Sequence, residues 1–393
     1  MSHAILPTDA DRALLVGRAW LPQRDGQPAG PAMVAVAGDT LVDITPSLPT
    51  LAHLLMAVDP AASLRAAVAA AAPGLPLAPI LANALAEERD RSLPVLLAPA
   101  DLQPIKASGV TFVASLLERV IEEQARGDLA RAASIRAEVT AVIGDDLAKV
   151  RPGSAQAAEL KALLIAKGAW SQYLEVGIGP DAEIFTKCPP MAAVGLGAEV
   201  GVLATSHWNN PEPEVVLVIA PTGQVVGATL GNDVNLRDVE GRSALLLGKA
   251  KDNTASCALG PFIRLFDDRF SIADLRQAEL TMTVAGPDGF TLHGASSMAR
   301  ISRDPLDLAA QCLGPSHQYP DGVLLFLGTM FAPTQDRGEV GKGFTHQIGD
   351  VVSIATPSLG TLVNRVTTCD QAEPWTFGLR ALFQHLAARG IAV

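Results

Sequence analysis

The chain has 393 residues, of which 49% are hydrophobic and 18% are charged, so it can build a large buried core. Its formal net charge of −11 argues against binding to nucleic acid or to an anionic membrane. Four dispersed cysteines without a Cys-x-x-Cys pair, and a start without a secretion-signal pattern, predict a cytoplasmic protein with free thiols.

Short apolar runs punctuated by Pro and Gly make up the first part of the chain. Strands are predicted at 13–16, 33–36 and 40–44, and helices at 49–58 and 60–72. Gly38-Asp39 is typical of a hairpin turn between two of these strands. Because no group of catalytic side chains is present, we interpret residues 1–101 as a small N-terminal α/β domain, a lid or packing unit.

Residues 102–393 form the predicted catalytic domain. A short strand at 105–112 leads into apolar residues at helical spacing from Val113 to Lys149, with a break at Gly127-Asp128. Ser154 can cap a further helix that runs to Lys167. From Glu175 onward the pattern changes to strands and turns. Helices interrupt it near 271–276, 304–311 and 377–389.

Two apolar runs in this second domain carry acids at their ends. Glu212 and Glu214 stand at the start of one strand, where alternation points both side chains the same way. Asp233 follows the next apolar run and could supply a third oxygen. A hard cation would relieve the repulsion, and three carboxylates with an open position describe a Mg²⁺-type site that holds a substrate. On spacing alone, solvated charges at a strand end are the alternative.

Six ordered pieces of sequence resemble the fumarylacetoacetate hydrolase superfamily. They are Ile184-Phe-Thr-Lys187, Glu212-x-Glu214, Asn232-Asp-x-x-x-Arg237-Asp238, Lys251 ahead of Leu259-Gly-Pro261, Gly328-Thr329, and Gly349-Asp-Val-Val352 followed by Gly360-Thr-Leu-Val-Asn364. The resemblance extends back to about Leu102 and does not cover the N-terminal domain.

The resemblance implies a β-rich α+β fold, in which a mixed β-sandwich rolls around a metal, with helices outside and a small N-terminal domain added. It implies that Glu212, Glu214 and Asp233 hold a divalent ion, usually Mg²⁺, with Mn²⁺ or Ca²⁺ as substitutes. That ion would chelate the carboxylate and oxo oxygens of a small 2-oxo acid. The resemblance further implies a homodimer or homotetramer.

Further site residues follow from the same resemblance. Lys251 matches the family's active-site lysine; we prefer it to Lys249, which a strand would place on the same face. The predicted substrate-binding residues are Arg237, Glu240, Thr329 and Lys187. The alternatives are an exposed lysine at 251, an ion pair of Arg237 with Asp238, and a structural role for Lys187.

One segment departs from the hydrolytic members of the family. They use a histidine and a glutamate to activate water, and the matching stretch here keeps Glu118 but carries Ser115 in place of the histidine. A serine cannot accept and return a proton near neutral pH as imidazole does, which argues against hydrolysis. Glu118 and Ser115 remain catalytic candidates; a solvated charge and a packing residue are the respective alternatives.

Three stretches resemble the 2-keto-3-deoxy-sugar-acid dehydratase branch: 208–214, 249–261 and 328–333. We therefore predict a Mg²⁺-dependent hydro-lyase of pentose degradation that converts a 2-keto-3-deoxypentonate, with 2-keto-3-deoxy-D-xylonate preferred, to 2,5-dioxopentanoate. Glu118 or Lys251 would take a C3 proton, and Glu118 or Glu240 would protonate the departing C4 hydroxyl. The alternatives are an acylpyruvate-type C–C hydrolase and a non-catalytic 2-oxoacid-binding protein.

Overall fold

A computed structural model describes residues 5–392 except for 25, 127, 129–130, 133–149, 167, 169, 332 and 339–342, and only the backbone at 113–114. The helix predicted across 133–149 therefore lies outside the described residues. Among the residues that are described, no helix is long and apolar enough to cross a membrane.

Strands dominate the chain. In order they are β1 (Leu15–Leu21), β2 (Gly30–Ala37), β3 (Thr40–Asp43), β4 (Leu75–Pro76), β5 (Val95–Leu97), β6 (Ile105–Ser108), β7 (Ile184–Cys188), β8 (Glu199–Val202), β9 (Asn209–Asn210), β10 (Pro213–Ile219), β11 (Val225–Asp233), β12 (Asn235–Leu236), β13 (Cys257–Leu265), β14 (Glu279–Ala285), β15 (Thr291–Ser297), β16 (Val323–Phe326), β17 (Val351–Thr356) and β18 (Gly360–Thr368).

Helices are shorter and lie mostly outside the sheets. They are α1 (Leu51–Leu55), α2 (Pro60–Ala70), α3 (Leu77–Leu85), α4 (Val113–Ala125), α5 (Ala155–Ala166), α6 (Gln172–Ile178), α7 (Arg237–Glu240), α8 (Leu247–Lys251), α9 (Ile272–Leu275), α10 (Pro305–Cys312) and α11 (Leu379–Ala388). Local sequence explains where several begin. Asp59 caps α2 by accepting a hydrogen bond from the Ala62 amide at 2.9 Å, and Pro60 occupies the first helical position.

Two large sheets pack face to face. The larger has 11 strands in the order β4-β3-β2-β1-β13-β11-β10-β16-β6-β7 with β5 beside β1, and the smaller has 5 in the order β15-β14-β17-β18-β8. Leu217 of β10 shares a buried core with Met282 and Ile354 of the smaller sheet. The opposite face of β10, with Val218, packs against Leu54 and other residues of α1 and α2. This arrangement confirms the predicted β-rich α+β fold with outer helices.

The N-terminal strands continue the larger sheet. β1 pairs with β13 of the second half of the chain, and Val16 lies opposite Ile263. Residues before 101 therefore contribute strands to the same sheet that carries the acids. The domain boundary at residue 101 remains a prediction.

The β10/β11 hairpin positions the acidic residues. Pro213 pairs with Asn232, and the amide of Asp233 donates to the carbonyl of Glu212 at 3.0 Å. The close fit of this hairpin requires a glycine at 231, because a Cβ there would lie 2.2 Å from the Phe326 ring. The register thus sets Glu212 opposite Asp233.

Candidate active site

Three carboxylates meet at one end of the β10/β11 hairpin. Glu212 precedes β10, Glu214 lies within it and Asp233 closes β11, and all three side chains are buried. One oxygen from each lies within 4.8 Å of the other two. The structure therefore brings together the three residues that were predicted to hold a metal.

The donor set and its burial fit a divalent cation. Burial, followed by repulsion from Asp233 and Glu212, raises the pKa of Glu214 well above its usual value. Full ionisation of the three acids is therefore costly without a further positive charge. Mg²⁺ with oxygen ligands at about 2.1 Å places neighbouring oxygens roughly 3 Å apart and opposite ones roughly 4.2 Å apart. Both spacings are compatible with the 4.8 Å limit on the separation of the three oxygens.

Two lysines contact these acids. Lys251 Nζ lies 3.0 Å from Asp233 Oδ2 and also contacts Glu212 Oε2. Lys187 Nζ lies 2.7 Å from Asp233 Oδ1 and donates to the Val234 carbonyl at 3.1 Å. Burial alone would lower the pKa of Lys251, but the charges of Asp233 and Glu212 outweigh burial and raise it. Lys251 is therefore an ammonium ion in this state of the site.

The local structure at Lys251 differs from the prediction. Residues 247–251 form the short helix α8, so Lys249 does not share a strand face with Lys251 as expected. Lys249 is exposed, whereas Lys251 is buried. A run of five residues is too short for its apolar spacing to distinguish a helix from a strand.

Arg119 brings a third cation from α4. Its Nη2 contacts Glu212 Oε1, while its Nη1 lies 2.5 Å from Glu122 Oε2 and 3.2 Å from Glu240 Oε2. Burial would raise the pKa of Glu212, but the charges of Arg119 and Lys251 lower it. Glu240, predicted to bind substrate, thus belongs to the same ionic network as a proposed metal ligand.

The turn after β16 orients Glu214. The Gly328 amide donates to Glu214 Oε2 at 2.7 Å, and Thr329 Oγ1 donates to Glu214 Oε1 at 3.2 Å. Gly328 has a φ of 100°, and a Cβ there would lie 2.0 Å from Thr111 Oγ1, so only glycine fits. Thr329, which was predicted to contact substrate, also positions a carboxylate of the acidic cluster.

A small cavity of about 10 Å³ adjoins these groups, which is room for roughly one water molecule. The predicted site residues that line it are Ser115, Glu212, Asp233, Glu240, Lys251 and Thr329. Ser115 donates through Oγ at 2.9 Å to the carbonyl of Phe112, the residue immediately before α4. Glu214 and Lys187 are not among the residues that line this cavity.

Arg237 and Glu118 are not among the cavity-lining residues. Arg237 Nε lies 2.7 Å from Asn210 Oδ1 and 3.3 Å from Glu122 Oε1, and its guanidinium lies 5.6 Å from the centre of the Trp208 ring. Glu118 is partly buried on α4, and its charge acts on Arg237. The catalytic role of Glu118 and the substrate-binding role of Arg237 remain predictions.

Two charged cavity residues, Arg119 and Glu183, were not predicted from the sequence. Nothing in a single helix shows that Arg119 reaches an acid 93 positions further along. Glu183 lies immediately before β7 and lines the cavity. Burial and the nearby charge of Glu240 raise the pKa of Glu183 to about 7. The one feature of the sequence that could have indicated Glu183 is its position directly before the segment of Lys187, which was already among the predicted site residues.

Comparison with known proteins agrees with these observations. Residues 175–367 match the fumarylacetoacetate (FAA) hydrolase C-terminal family. A probable 2-keto-3-deoxyxylonate dehydratase of Haloferax volcanii is 31% identical over 196 residues, which is 50% of this chain and 64% of that protein. A 2-dehydro-3-deoxy-D-arabinonate dehydratase of Saccharolobus solfataricus is 30% identical over 184 residues, 47% of this chain and 58% of that protein. The chain thus spans less than two thirds of the length of these curated relatives.

Solved structures share the fold. A 2-keto-3-deoxy-D-arabinonate dehydratase complexed with magnesium and 2,5-dioxopentanoate superimposes with a TM-score of 0.59 at 18% identity, covering 90% of this chain and 99% of that one. A fumarylacetoacetate hydrolase of Exiguobacterium antarcticum superimposes with a TM-score of 0.54 at 16% identity, covering 91% and 100%. These superpositions show the fold, and the family match of residues 175–367 confirms the resemblance inferred from the ordered motifs.

Proposed function

We propose that this chain, whose residues 175–367 belong to the fumarylacetoacetate hydrolase family, is a Mg²⁺-dependent 2-keto-3-deoxypentonate dehydratase. The product would be 2,5-dioxopentanoate, and 2-keto-3-deoxy-D-xylonate is the substrate we favour. The observation that carries the proposal is the buried cluster of Glu212, Glu214 and Asp233; two of these acids, Glu212 and Asp233, line one cavity together with Lys251 and Glu183. That cavity combines a cation site with two groups that can exchange protons.

Each predicted ligand would contribute a carboxylate oxygen to the ion. Glu212, Glu214 and Asp233 would hold a divalent cation, which would supply the Lewis acidity that polarises a 2-oxo group and acidifies its C3 proton. Thr329 and the Gly328 amide keep Glu214 in place, at 3.2 and 2.7 Å. Lys187 holds Asp233 and is fully buried, so it serves the site by fixing a carboxylate rather than by touching substrate.

Lys251 and Glu183 would divide the proton transfers. The carboxylates of Asp233 and Glu212 raise the pKa of Lys251. If these carboxylates bound a cation instead, the pKa of Lys251 would fall and its ammonium group would lose a proton. The resulting amine could then accept the proton from C3. Glu183, with a pKa of about 7, retains a protonated fraction near neutral pH and can donate to the departing C4 hydroxyl. One C3 proton and the C4 hydroxyl together leave as water, which creates a C3–C4 double bond. A C5 hydrogen then shifts to C3, and the resulting C5 enol moves its hydroxyl proton to C4 to give the C5 aldehyde.

The composition of the cavity disfavours the hydrolase alternative. No histidine occurs among the described residues that line it, and Ser115 at the corresponding position bonds to the Phe112 carbonyl. A C–C hydrolase needs a base that activates water near neutral pH, the role usually filled by imidazole. The cavity thus supports elimination better than hydrolysis.

A coupled assay tests the proposal. Purified protein with Mg²⁺ is mixed separately with 2-keto-3-deoxy-D-xylonate and with its arabinonate-derived counterpart, and aldehyde is followed with an NADP⁺-linked aldehyde dehydrogenase. We expect aldehyde formation that stops when EDTA removes the metal, with the xylonate-derived substrate preferred. Absence of aldehyde from both substrates contradicts the proposal. Loss of acylpyruvate absorbance would support the hydrolase alternative. Binding of pyruvate without turnover would support the binding-protein alternative.

A further inference from the structure

Arg119 lies between two groups of acids. One end of its guanidinium, Nη2, contacts Glu212 Oε1. The other end, Nη1, lies 2.5 Å from Glu122 Oε2 and 3.2 Å from Glu240 Oε2. The Arg119 side chain is only 8% exposed, so these contacts are made with little screening by solvent.

Protein donors engage the oxygens of the acidic cluster. Glu212 is contacted by Arg119 at one oxygen and by Lys251 at the other. Lys187 Nζ lies 2.7 Å from one carboxylate oxygen of Asp233, and Lys251 Nζ lies 3.0 Å from the other. Three cationic side chains therefore contact two of the three carboxylates, and a dication can bind only if some of these contacts are given up.

Arg119 can give up its contact with the acidic cluster at less loss than Lys187 can. Lys187 is fully buried and also donates to the backbone carbonyls of Val234 and Lys251, which fix its position. Arg119 already holds Glu122 and Glu240 through Nη1, so it keeps paired acids when Nη2 leaves Glu212. A planar guanidinium with several donors suits such an exchange of partners, and a freed edge can bind a carboxylate with two parallel hydrogen bonds.

We propose that Arg119 occupies the cation position at Glu212 in the metal-free protein, and that it transfers this contact to the carboxylate of the 2-oxo acid once metal and substrate bind. The inference rests on the proposed metal site. It makes Arg119 a coupling residue: it opposes binding of the metal alone and favours binding of the metal together with an organic anion. By reciprocity, the metal must tighten anion binding by the same factor.

Titration calorimetry of Mn²⁺ with and without oxalate tests this coupling. The unaltered protein should bind Mn²⁺ weakly in the absence of oxalate, and its affinity for Mn²⁺ should be at least about 10-fold higher when oxalate is present. Arg119→Met should bind Mn²⁺ alone more tightly than the unaltered protein, while the gain from oxalate falls toward unity. Arg119→Lys, which keeps the charge but loses the two-sided guanidinium, should lie between them. Arg242→Met, at an exposed arginine, is the control and should match the unaltered protein.

Unchanged Mn²⁺ affinity and unchanged oxalate coupling in folded Arg119→Met would overturn the inference. Circular dichroism melting establishes whether the variants fold. If neither Arg119 variant folds, a crystal structure of the unaltered protein with Mn²⁺ and oxalate decides between the outcomes. Arg119 bound to oxalate supports the inference, and Arg119 still bound to Glu212 overturns it. Failure of the unaltered protein to bind Mn²⁺ at all would instead remove the proposed metal site and the function that rests on it.

Discussion

The carboxylate of Glu183 lies against Gly109, so closely that a Cβ at position 109 would come within 1.8 Å of Glu183 Oε2. The two segments are also joined by a hydrogen bond from the Gly109 amide to the Glu183 carbonyl at 3.1 Å. Because both residues line the cavity, the absence of a side chain at 109 sets where this carboxylate can sit. The contact links a glycine of the segment before α4 to a proposed catalytic acid.

Gly109→Ala should displace the Glu183 carboxylate and lower kcat at least about 10-fold. This loss is smaller than the full contribution of general acid catalysis, which is about 100-fold or more. Mn²⁺ affinity should change little, because neither residue is a proposed ligand. Gly248→Ala is the matched control, since a Cβ there meets nothing within 4 Å. Steady-state kinetics and calorimetry measure both effects. Equal kcat values for Gly109→Ala and the unaltered protein would contradict the placement of Glu183.

The pH dependence of kcat tests Glu183 directly. Its pKa of about 7 lies above the usual carboxyl value because of burial and the neighbouring Glu240. Only the protonated carboxyl can donate to the C4 hydroxyl, so kcat should fall as pH rises through this pKa. Glu183→Gln should lower kcat about 100-fold and abolish this alkaline decline. An alkaline limb that persists unchanged in Glu183→Gln assigns the titration to another group.

Lys251 and Lys249 offer a matched pair of substitutions. Lys251 is buried against Asp233 and Glu212, whereas Lys249 is exposed two residues earlier on the same short helix. Lys251→Met should reduce kcat by at least about 100-fold, since it removes a proton-transfer group. Lys249→Met should leave kcat and KM within about twofold, as is usual for surface positions away from specific contacts. Similar losses in both variants would point to damage to α8 and not to a catalytic role.

Ser115→Ala separates packing from catalysis at the position where the resemblance to hydrolytic family members led us to expect a histidine. The hydroxyl donates to the carbonyl of Phe112, just before α4, and its loss should cost about 1 kcal/mol of stability. Dehydratase kcat should remain within about threefold, because this hydroxyl already has a backbone partner. A loss beyond about 100-fold with an intact fold would establish the catalytic role that the sequence also allowed.

Sequence reasoning went furthest where chemistry and strand pattern coincide. The acids at 212, 214 and 233 stand at the ends of apolar runs that became β10 and β11, and hairpin pairing brought them together. Lys251 was chosen over Lys249 through the family resemblance and not from the local pattern. A strand was considered at this position, but the structure has the helix α8. Such short elements are decided by tertiary packing more than by their own residues.

Residues that reach the site from distant segments could not be predicted. Arg119 meets Glu212 only because α4 folds over the end of β10, a contact between positions 93 apart. Glu183 owes its raised pKa to burial and to Glu240, which is 57 positions further along the chain. Neither burial nor such proximity can be read from the order of residues in one chain.

Anomalous diffraction from crystals grown with Mn²⁺ tests the central claim most directly. We expect a single strong peak with oxygens of Glu212, Glu214 and Asp233 at about 2.0–2.3 Å, the range for hard cations with oxygen ligands. The peak should disappear in Glu212→Gln crystals grown under the same conditions. Data from the unaltered protein that show no Mn²⁺ between these three carboxylates, with Lys251 and Arg119 still bound to Glu212, would contradict the account.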